Sequence, residues 1–225
     1  MTKTIFHQAS WAKSALGTNI QLYKKTHTGQ APILFIGGVH GDEPEGVELA
    51  EKFLLWLQEM DAKSTALRPW ILIPCLNVDG YSRLERTNGR GVDLNRNFPS
   101  DDWSPEHKAP RYFPGPHPNS EPETQALVQL IAAEKPQLIV HFHSWEPCVV
   151  YTGPAGKEVA EMIAAAAQLE AREDIGYPTP GSLGQYGWMH EKIPVICIEE
   201  QEKINLDQVW PRFAPGLQKL MLQGA

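Results

Sequence analysis

A histidine and a glutamate follow an apolar segment near the N-terminal end of the sequence. Within residues 37–43 (GGVHGDE), His40 and Glu43 are separated by two positions and precede a helical pattern. Zinc binds imidazole nitrogen and carboxylate oxygen, and a catalytic zinc site uses three protein ligands and a water molecule. The pair could supply two of these ligands. As an alternative, His40 could cap the strand while Glu43 favours the helix N-terminus by its negative charge.

A second segment offers a third ligand. Residues 137–145 (QLIVHFHSW) contain His141 and His143, which lie two positions apart and would share one face of a strand. In an open α/β sheet, ligands bind beyond the carboxyl ends of the strands. His143 lies nearer that end, so we predict that it is the ligand. We interpret His141, one pleat deeper, as a core residue or a group that supports the ligand.

The elements that would position these residues alternate along the chain. Short apolar runs, typical of strands covered on both faces, alternate with helical patterns, which predicts an α/β sandwich with a largely parallel sheet. Ser120 and Glu123 have the spacing of a capping box, and Pro122 suits the first turn of a helix. Predicted strands cover residues 33–37, 70–76, 137–142 and 194–198, and predicted helices cover 45–59, 122–133, 156–170 and 206–222.

Length and composition exclude several classes of protein. With 225 residues, 42% of them apolar, the sequence predicts one domain over residues 1–225. The net charge of −7 argues against a nucleic-acid partner. No apolar run approaches the roughly 18 residues of a membrane span, and no secretory pattern is present, so we expect no membrane association and a cytoplasmic protein. Three cysteines outside any CxxC spacing are interpreted as buried thiols: Cys75, Cys148 and Cys197.

Five motifs, in this order, resemble the zinc metallocarboxypeptidases, the family of carboxypeptidase A. They are HGDE at residues 40–43, NVDG at 77–80, GVDLNRNFP at 91–99, SEPET at 120–124 and FHS at 142–144. The resemblance extends over most of the chain. It implies a three-layer α/β/α sandwich with a mixed, largely parallel sheet. It also implies one Zn²⁺ per chain, held by His40, Glu43 and His143, and hydrolysis of an amide bond beside a residue with a free terminal carboxylate.

The resemblance also implies roles for charged residues on other segments. A carboxylate at a strand end would act as general base and then general acid, and Glu199 fits this role better than its neighbour Glu200. An arginine would stabilise the oxyanion. Arg86 matches that position best, with Arg83 and Arg90 as competitors.

A further set would bind the substrate. Asn95 and Arg96 match the pair that binds the terminal carboxylate, for which a guanidinium is geometrically suited. As an alternative, the arginine could pair with Asp93 and hold the loop in place. Tyr177 matches a mobile tyrosine that donates to the substrate, although it could equally pack on a neighbouring proline. Ser144 is a further substrate-binding candidate.

Within the family, the chain is most similar to the bacterial murein peptide amidases, in residues 119–127 and 176–182. These enzymes cleave the bond between γ-D-glutamate and meso-diaminopimelate in cell-wall tripeptides, which implies a role in peptidoglycan recycling. An alternative is an N-acyl amino acid deacylase of the aspartoacylase or succinylglutamate desuccinylase type. A non-catalytic module that keeps the fold without the metal is a third hypothesis. The sequence leaves open whether the chain forms a homodimer.

Overall fold

A mixed sheet of eight strands forms the centre of the protein, and helices cover both of its faces. The computed structural model describes residues 5–26 and 29–222. The strands are β1 (Phe6–Lys13), β2 (Asn19–Lys25), β3 (Ile33–Ile36), β4 (Trp70–Ile73), β5 (Leu138–Trp145), β6 (Cys148–Thr152), β7 (Ala171–Arg172) and β8 (Val195–Gln201). The helices are α1 (Pro44–Ala62), α2 (Val78–Arg83), α3 (Pro122–Glu134), α4 (Lys157–Ala167), α5 (Leu183–Gln185) and α6 (Val209–Leu222).

The strand order is β1-β2-β4-β3-β5-β8-β6-β7. The central strands β4, β3, β5 and β8 are parallel to one another, whereas β1, β2 and β6 join the sheet through antiparallel pairings. His143 of β5 is in register with Glu199 of β8. The carboxyl ends of the parallel strands therefore bring segments that are distant in the chain to one edge of the sheet.

Alternate residues of the central strands enter two different cores. In β3, Phe35 packs with α1, α4 and α6 on one face, while Leu34 and Ile36 pack against α3 and the Leu183–Gln185 turn on the other. Because both faces are covered, all four residues of β3 and of β4 are buried. This burial explains why these strands appear in the sequence as continuous apolar runs.

The α/β/α sandwich and its four predicted strands are confirmed, with shifted ends. The predicted strand at 137–142 continues to Trp145 because it pairs with β8 as far as Gln201. No apolar pattern indicated β1, since most of its side chains are exposed, and strands β2, β6 and β7 were also missed. Among the described residues, no helix has the length and apolar character of a membrane span.

The predicted capping box at the start of α3 is wrong. Pro122 does lie in the first turn, but the N-cap residue is Glu121, and it makes no side-chain cap hydrogen bond. The hydroxyl of Ser120 donates to Glu121 at 2.8 Å. The carboxylate of Glu123 accepts from the backbone N–H of Ala15 at 2.8 Å. Glu123 therefore attaches the segment before β2 to α3 and does not reach back to the helix start.

Candidate active site

A cavity of about 630 Å³ opens where the parallel strands end. This volume is within the range of small-molecule sites. Two long segments, residues 77–119 and 177–187, contribute much of its wall. Every residue that the sequence singled out for the site lines this cavity: His40, Glu43, Arg86, Asn95, Arg96, His143, Ser144, Tyr177 and Glu199.

Two imidazoles and a carboxylate meet at the floor of the cavity. The Nδ1 atom of His40 lies 2.7 Å from Oε1 of Glu43. The Nδ1 atom of His143 lies 2.7 Å from Oε2 of the same carboxylate and 3.1 Å from Nδ1 of His40. All three residues are buried. Three potential ligand atoms from two distant segments thus converge on one point.

The Nε2 atom of each imidazole, which faces away from Glu43, has a partner of its own. Nε2 of His40 lies 3.1 Å from Oδ1 of Asp93, and Nε2 of His143 lies 2.8 Å from Nδ1 of His141. Metal-binding histidines commonly donate their second N–H to such a group, which fixes the tautomer and leaves the other nitrogen free to bind. The contact between Asp93 and His40 was not predicted from the sequence, and the sequence left the role of His141 open.

The charged groups of this cluster act strongly on one another. Burial raises the pKa of Glu43, but the rings of His40 and His143 outweigh burial and hold it well below its usual value. Burial lowers the pKa of His143. Burial and Arg86 also lower the pKa of His40, but the carboxylates of Glu43 and Asp93 outweigh them and raise it. The same carboxylates would balance a divalent cation, and the donor set of two nitrogens and a carboxylate fits zinc.

Glu199 and Glu200 point to opposite faces of β8. Glu199 lines the cavity, where it accepts from the thiol of Cys197 at 3.2 Å, and its Oε2 is buried without a hydrogen-bond partner in the described ranges. Burial and the charge of Glu43 raise its pKa to about 8. Glu200 instead accepts from Arg212 of α6 and from the backbone of Gln201. Of the two alternatives, Glu199 is the one that faces the site.

Arg86 is held beside the cluster by two carboxylates. Its Nε donates to Asp93 at 2.9 Å and its Nη1 to Glu43 at 3.3 Å. The two competitors are bound elsewhere, since Arg83 pairs with Glu85 and Arg90 pairs with Glu121. Neither of them lines the cavity. The geometry thus selects one arginine of the three that the sequence offered.

Asn95 and Arg96 lie on a tight turn against the 177–187 segment. Oδ1 of Asn95 accepts from the backbone N–H of Leu183 at 2.9 Å, which directs its amide group. Nη1 of Arg96 donates to the carbonyl of Asn95 at 2.7 Å. Gly181 has a φ of +73°, and a Cβ there would lie 2.2 Å from the carbonyl oxygen of Arg96. The two segments are therefore in direct backbone contact.

The alternative role of Arg96, in which it pairs with Asp93 and holds the loop, is not observed in the described part of the chain. Arg86, and not Arg96, donates to Asp93 and holds the loop. Arg96 lines the cavity, and its Nη1 donates to the carbonyl of Asn95. Its position is compatible with binding a carboxylate there.

Tyr177 and Ser144 differ in whether their side chains are free to contact a substrate. Tyr177 is 46% exposed at the mouth of the cavity, and its ring is nearly perpendicular to that of Trp145, with the ring centres 5.5 Å apart. The hydroxyl of Ser144 donates to Glu45 of α1 at 2.7 Å. Ser144 thus forms part of the wall while its side chain is occupied by another buried group.

The chain is similar to known proteins over most of its length. A family model described as zinc carboxypeptidase matches residues 2–177. The chain belongs to the zinc carboxypeptidase family. This zinc carboxypeptidase is a hydrolase, and membership implies zinc as its metal. The predicted family and enzyme class are confirmed.

Several relatives of this zinc carboxypeptidase are murein peptide amidases. Murein peptide amidase A of Escherichia coli K12 is 33% identical over 187 residues, which cover 78% of this chain and 74% of that protein. The corresponding protein of Vibrio campbellii is 29% identical over 202 residues, covering 84% of this chain and 77% of that protein.

Solved structures show the same architecture. The murein-tripeptide amidase of Escherichia coli O157 superposes with a TM-score of 0.79 at 27% identity, covering 99% of this chain and 93% of that one. Carboxypeptidase A of Helicoverpa armigera gives 0.80 at 18% identity, covering 95% of this chain and 67% of that one. The similarity to carboxypeptidase A shows the fold alone, and that fold agrees with the predicted α/β/α sandwich.

Proposed function

We propose that this zinc carboxypeptidase hydrolyses the amide bond between γ-D-glutamate and meso-diaminopimelate in the murein tripeptide L-Ala-γ-D-Glu-meso-diaminopimelate, in the cytoplasm. The observation that carries the catalytic part is the convergence of His40, Glu43 and His143 beside Glu199 in one cavity. The substrate is supported by the murein amidases that are similar over most of their length.

One zinc ion per chain would be held by His40, Glu43 and His143. Bound there, zinc would supply Lewis-acid polarisation of the substrate carbonyl and acidify a water molecule. Asp93 and His141 would keep the two imidazoles in the tautomer that presents Nδ1. Because the cluster is buried, the local dielectric constant is low and each of these electrostatic interactions is strengthened.

Glu199 would act as the proton carrier. Its carboxylate accepts a proton from the attacking water and returns it to the amine of the departing residue. With a pKa of about 8, Glu199 is poised near neutrality, and a cation in the neighbouring cluster would lower this value by favouring the carboxylate. The Oε2 atom of Glu199 has no hydrogen-bond partner among the described residues, so it is available for this proton transfer.

The remaining residues would orient the substrate and stabilise charge. Arg86, fixed by Asp93 and Glu43, donates to the developing oxyanion. The amide of Asn95 and the guanidinium of Arg96 bind the terminal carboxylate, which explains the requirement for a free end. Tyr177 donates to the bound peptide from the mouth of the cavity. The contribution of Ser144 is restricted to the wall because its hydroxyl donates to Glu45.

Mass spectrometry of the tripeptide incubated with zinc-loaded protein tests the proposal. Diaminopimelate should be released, and the same peptide with its C-terminal carboxylate amidated should react about 10- to 100-fold more slowly, since charged hydrogen bonds to Arg96 are lost. In R96Q the two peptides should react at similar rates.

N-acetylaspartate serves as the competing substrate. Hydrolysis of N-acetylaspartate in preference to the tripeptide would favour the deacylase alternative. Full zinc loading without release from either compound would contradict the proposed activity.

A further inference from the structure

A third arginine of the cavity has no role in the scheme above. Arg111 lies on the Pro110–Tyr112 turn, and both Arg111 and Tyr112 line the cavity. The guanidinium of Arg111 lies 5.5 Å from the centre of the Tyr112 ring, and the guanidinium of Arg86 lies 5.3 Å from the same centre. One aromatic ring thus contacts two cations, the inner one beside the metal cluster and the outer one at the rim.

Arg111 is attached to a different wall of the cavity from Asn95 and Arg96. Its Nη2 donates to Oδ2 of Asp42 at 3.0 Å, within the turn that also carries His40 and Glu43. Asn95, by contrast, is tied to Leu183. A peptide whose terminal carboxylate lies on Asn95 and Arg96 would therefore extend its other end past the metal cluster towards the rim.

The guanidinium of Arg111 retains unused hydrogen-bonding capacity. Arginine carries five N–H donors, and in the described ranges only Nη2 has a protein acceptor. The side chain is 53% exposed, and an ion pair of this exposure contributes little to stability. Asp42 and Tyr112 thus orient the cation without neutralising its remaining donors, which suits a second carboxylate.

We propose that Arg111, supported by Tyr112 and Asp42, binds the free α-carboxylate of the γ-linked glutamyl residue on the acyl side of the scissile bond. This inference rests on the proposed function. A γ-linkage leaves the α-carboxylate free, whereas in an ordinary α-linked peptide the α-carboxyl group forms the scissile amide bond and no free α-carboxylate remains. Arg111 is then a specificity-determining residue that favours γ-glutamyl peptides over α-linked peptides.

A comparison of two substrates with three variants tests this role. The substrates are L-Ala-γ-D-Glu-meso-diaminopimelate and the same peptide with the glutamyl α-carboxylate converted to a carboxamide. The variants are R111Q, R111K and, as a matched control, R172Q. Arg172 also pairs with a nearby carboxylate, Glu170 at 3.3 Å, but it does not line the cavity.

R111Q should lower kcat/KM for the carboxylate peptide by about 10- to 100-fold, because a charged hydrogen bond is lost. It should leave kcat/KM for the carboxamide peptide unchanged. R111K should fall between the wild type and R111Q because a lysine keeps the charge without the planar fork. R172Q should match the wild type on both peptides.

Three outcomes overturn the inference. Equal losses on both peptides would show that the change acts on the fold of the rim, and an unchanged R111Q would show that this cation does not touch the substrate. In both cases the wild type still releases diaminopimelate, so the proposed function stands. A wild-type protein that releases diaminopimelate from neither peptide contradicts the proposed function, and the inference fails with it.

Discussion

The Nδ1 atoms of His40 and His143 lie 3.1 Å apart although 103 positions separate the two residues in the chain. Each ring presents this nitrogen to the same carboxylate, that of Glu43, and each has its other nitrogen beside a partner. Two imidazole nitrogens and a carboxylate that face one point form a donor set suited to a divalent ion. The stability of the fold should therefore depend on the metal.

Removal of the metal should destabilise the protein measurably. Zinc at a hundred times its dissociation constant contributes about 2.7 kcal/mol to folding, which corresponds to a Tm shift of about 5 to 10 °C for a chain of this size. Chelation should therefore lower Tm in the wild type and in H7A, a control at an exposed position on β1. H40A should show no such shift, and metal analysis should find it free of zinc. A chelator effect of the same size in H40A would contradict the assignment.

The two neighbouring glutamates of β8 should separate catalysis from stability. E199Q should retain zinc but lose about 10²- to 10⁴-fold in kcat, the usual contribution of general acid–base catalysis. E200Q should keep kcat near the wild-type value and unfold at a lower temperature, because Glu200 is buried against Arg212. Kinetics with the tripeptide and thermal melts on both variants check this. A larger loss of kcat in E200Q than in E199Q would reverse the roles.

His141 should contribute to metal affinity without binding the metal. Its Nδ1 accepts from Nε2 of His143 at 2.8 Å, and loss of such a partner typically costs about 10- to 100-fold in metal affinity. Burial lowers the pKa of His141 well below its usual value, so its ring is neutral and able to accept.

Competition with a chromogenic chelator measures this effect. H141F, which keeps an aromatic ring but has no acceptor, should bind zinc more weakly than H141N, whose amide oxygen can replace Nδ1. Wild-type affinity in H141F would make His141 a core residue only.

The cysteines should react slowly and with a characteristic pH dependence. Burial, with the charge of Glu199, raises the pKa of Cys148 to about 11, and burial raises that of Cys75 to about 12. The thiolate is the reactive form, and a free cysteine has a pKa of about 8.5. At pH 8 the folded protein should therefore alkylate at Cys148 about 100-fold more slowly than the unfolded chain.

Mass spectrometry after iodoacetamide treatment distinguishes the two states by their pH profiles. The folded rate should keep rising from pH 8 to pH 10, whereas the unfolded rate should level off above the free-thiol pKa. A folded rate that levels off with the unfolded one would show an exposed thiolate.

The sequence was informative where one residue type is required by chemistry. His40 with Glu43, the FHS run at 142–144 and the DLNR run at 93–96 each carry a recognisable spacing, and strands buried on both faces appear as continuous apolar runs. The residues proposed for the metal and for the terminal carboxylate could therefore be selected from the sequence alone, together with the α/β/α architecture. The edge strand β1 could not, because its side chains are mostly exposed and leave no apolar pattern.

Only the tertiary structure decided between the two neighbouring glutamates and among the three candidate arginines. Glu199 and Glu200 differ by one position, and the pleat of β8 turns one towards the cavity and the other towards Arg212. The contacts of Asp93 with His40 and of Arg111 with Asp42 join segments far apart in the chain. Local spacing carries no information on such pairs, because the register of parallel strands and the path of the long loop bring them together.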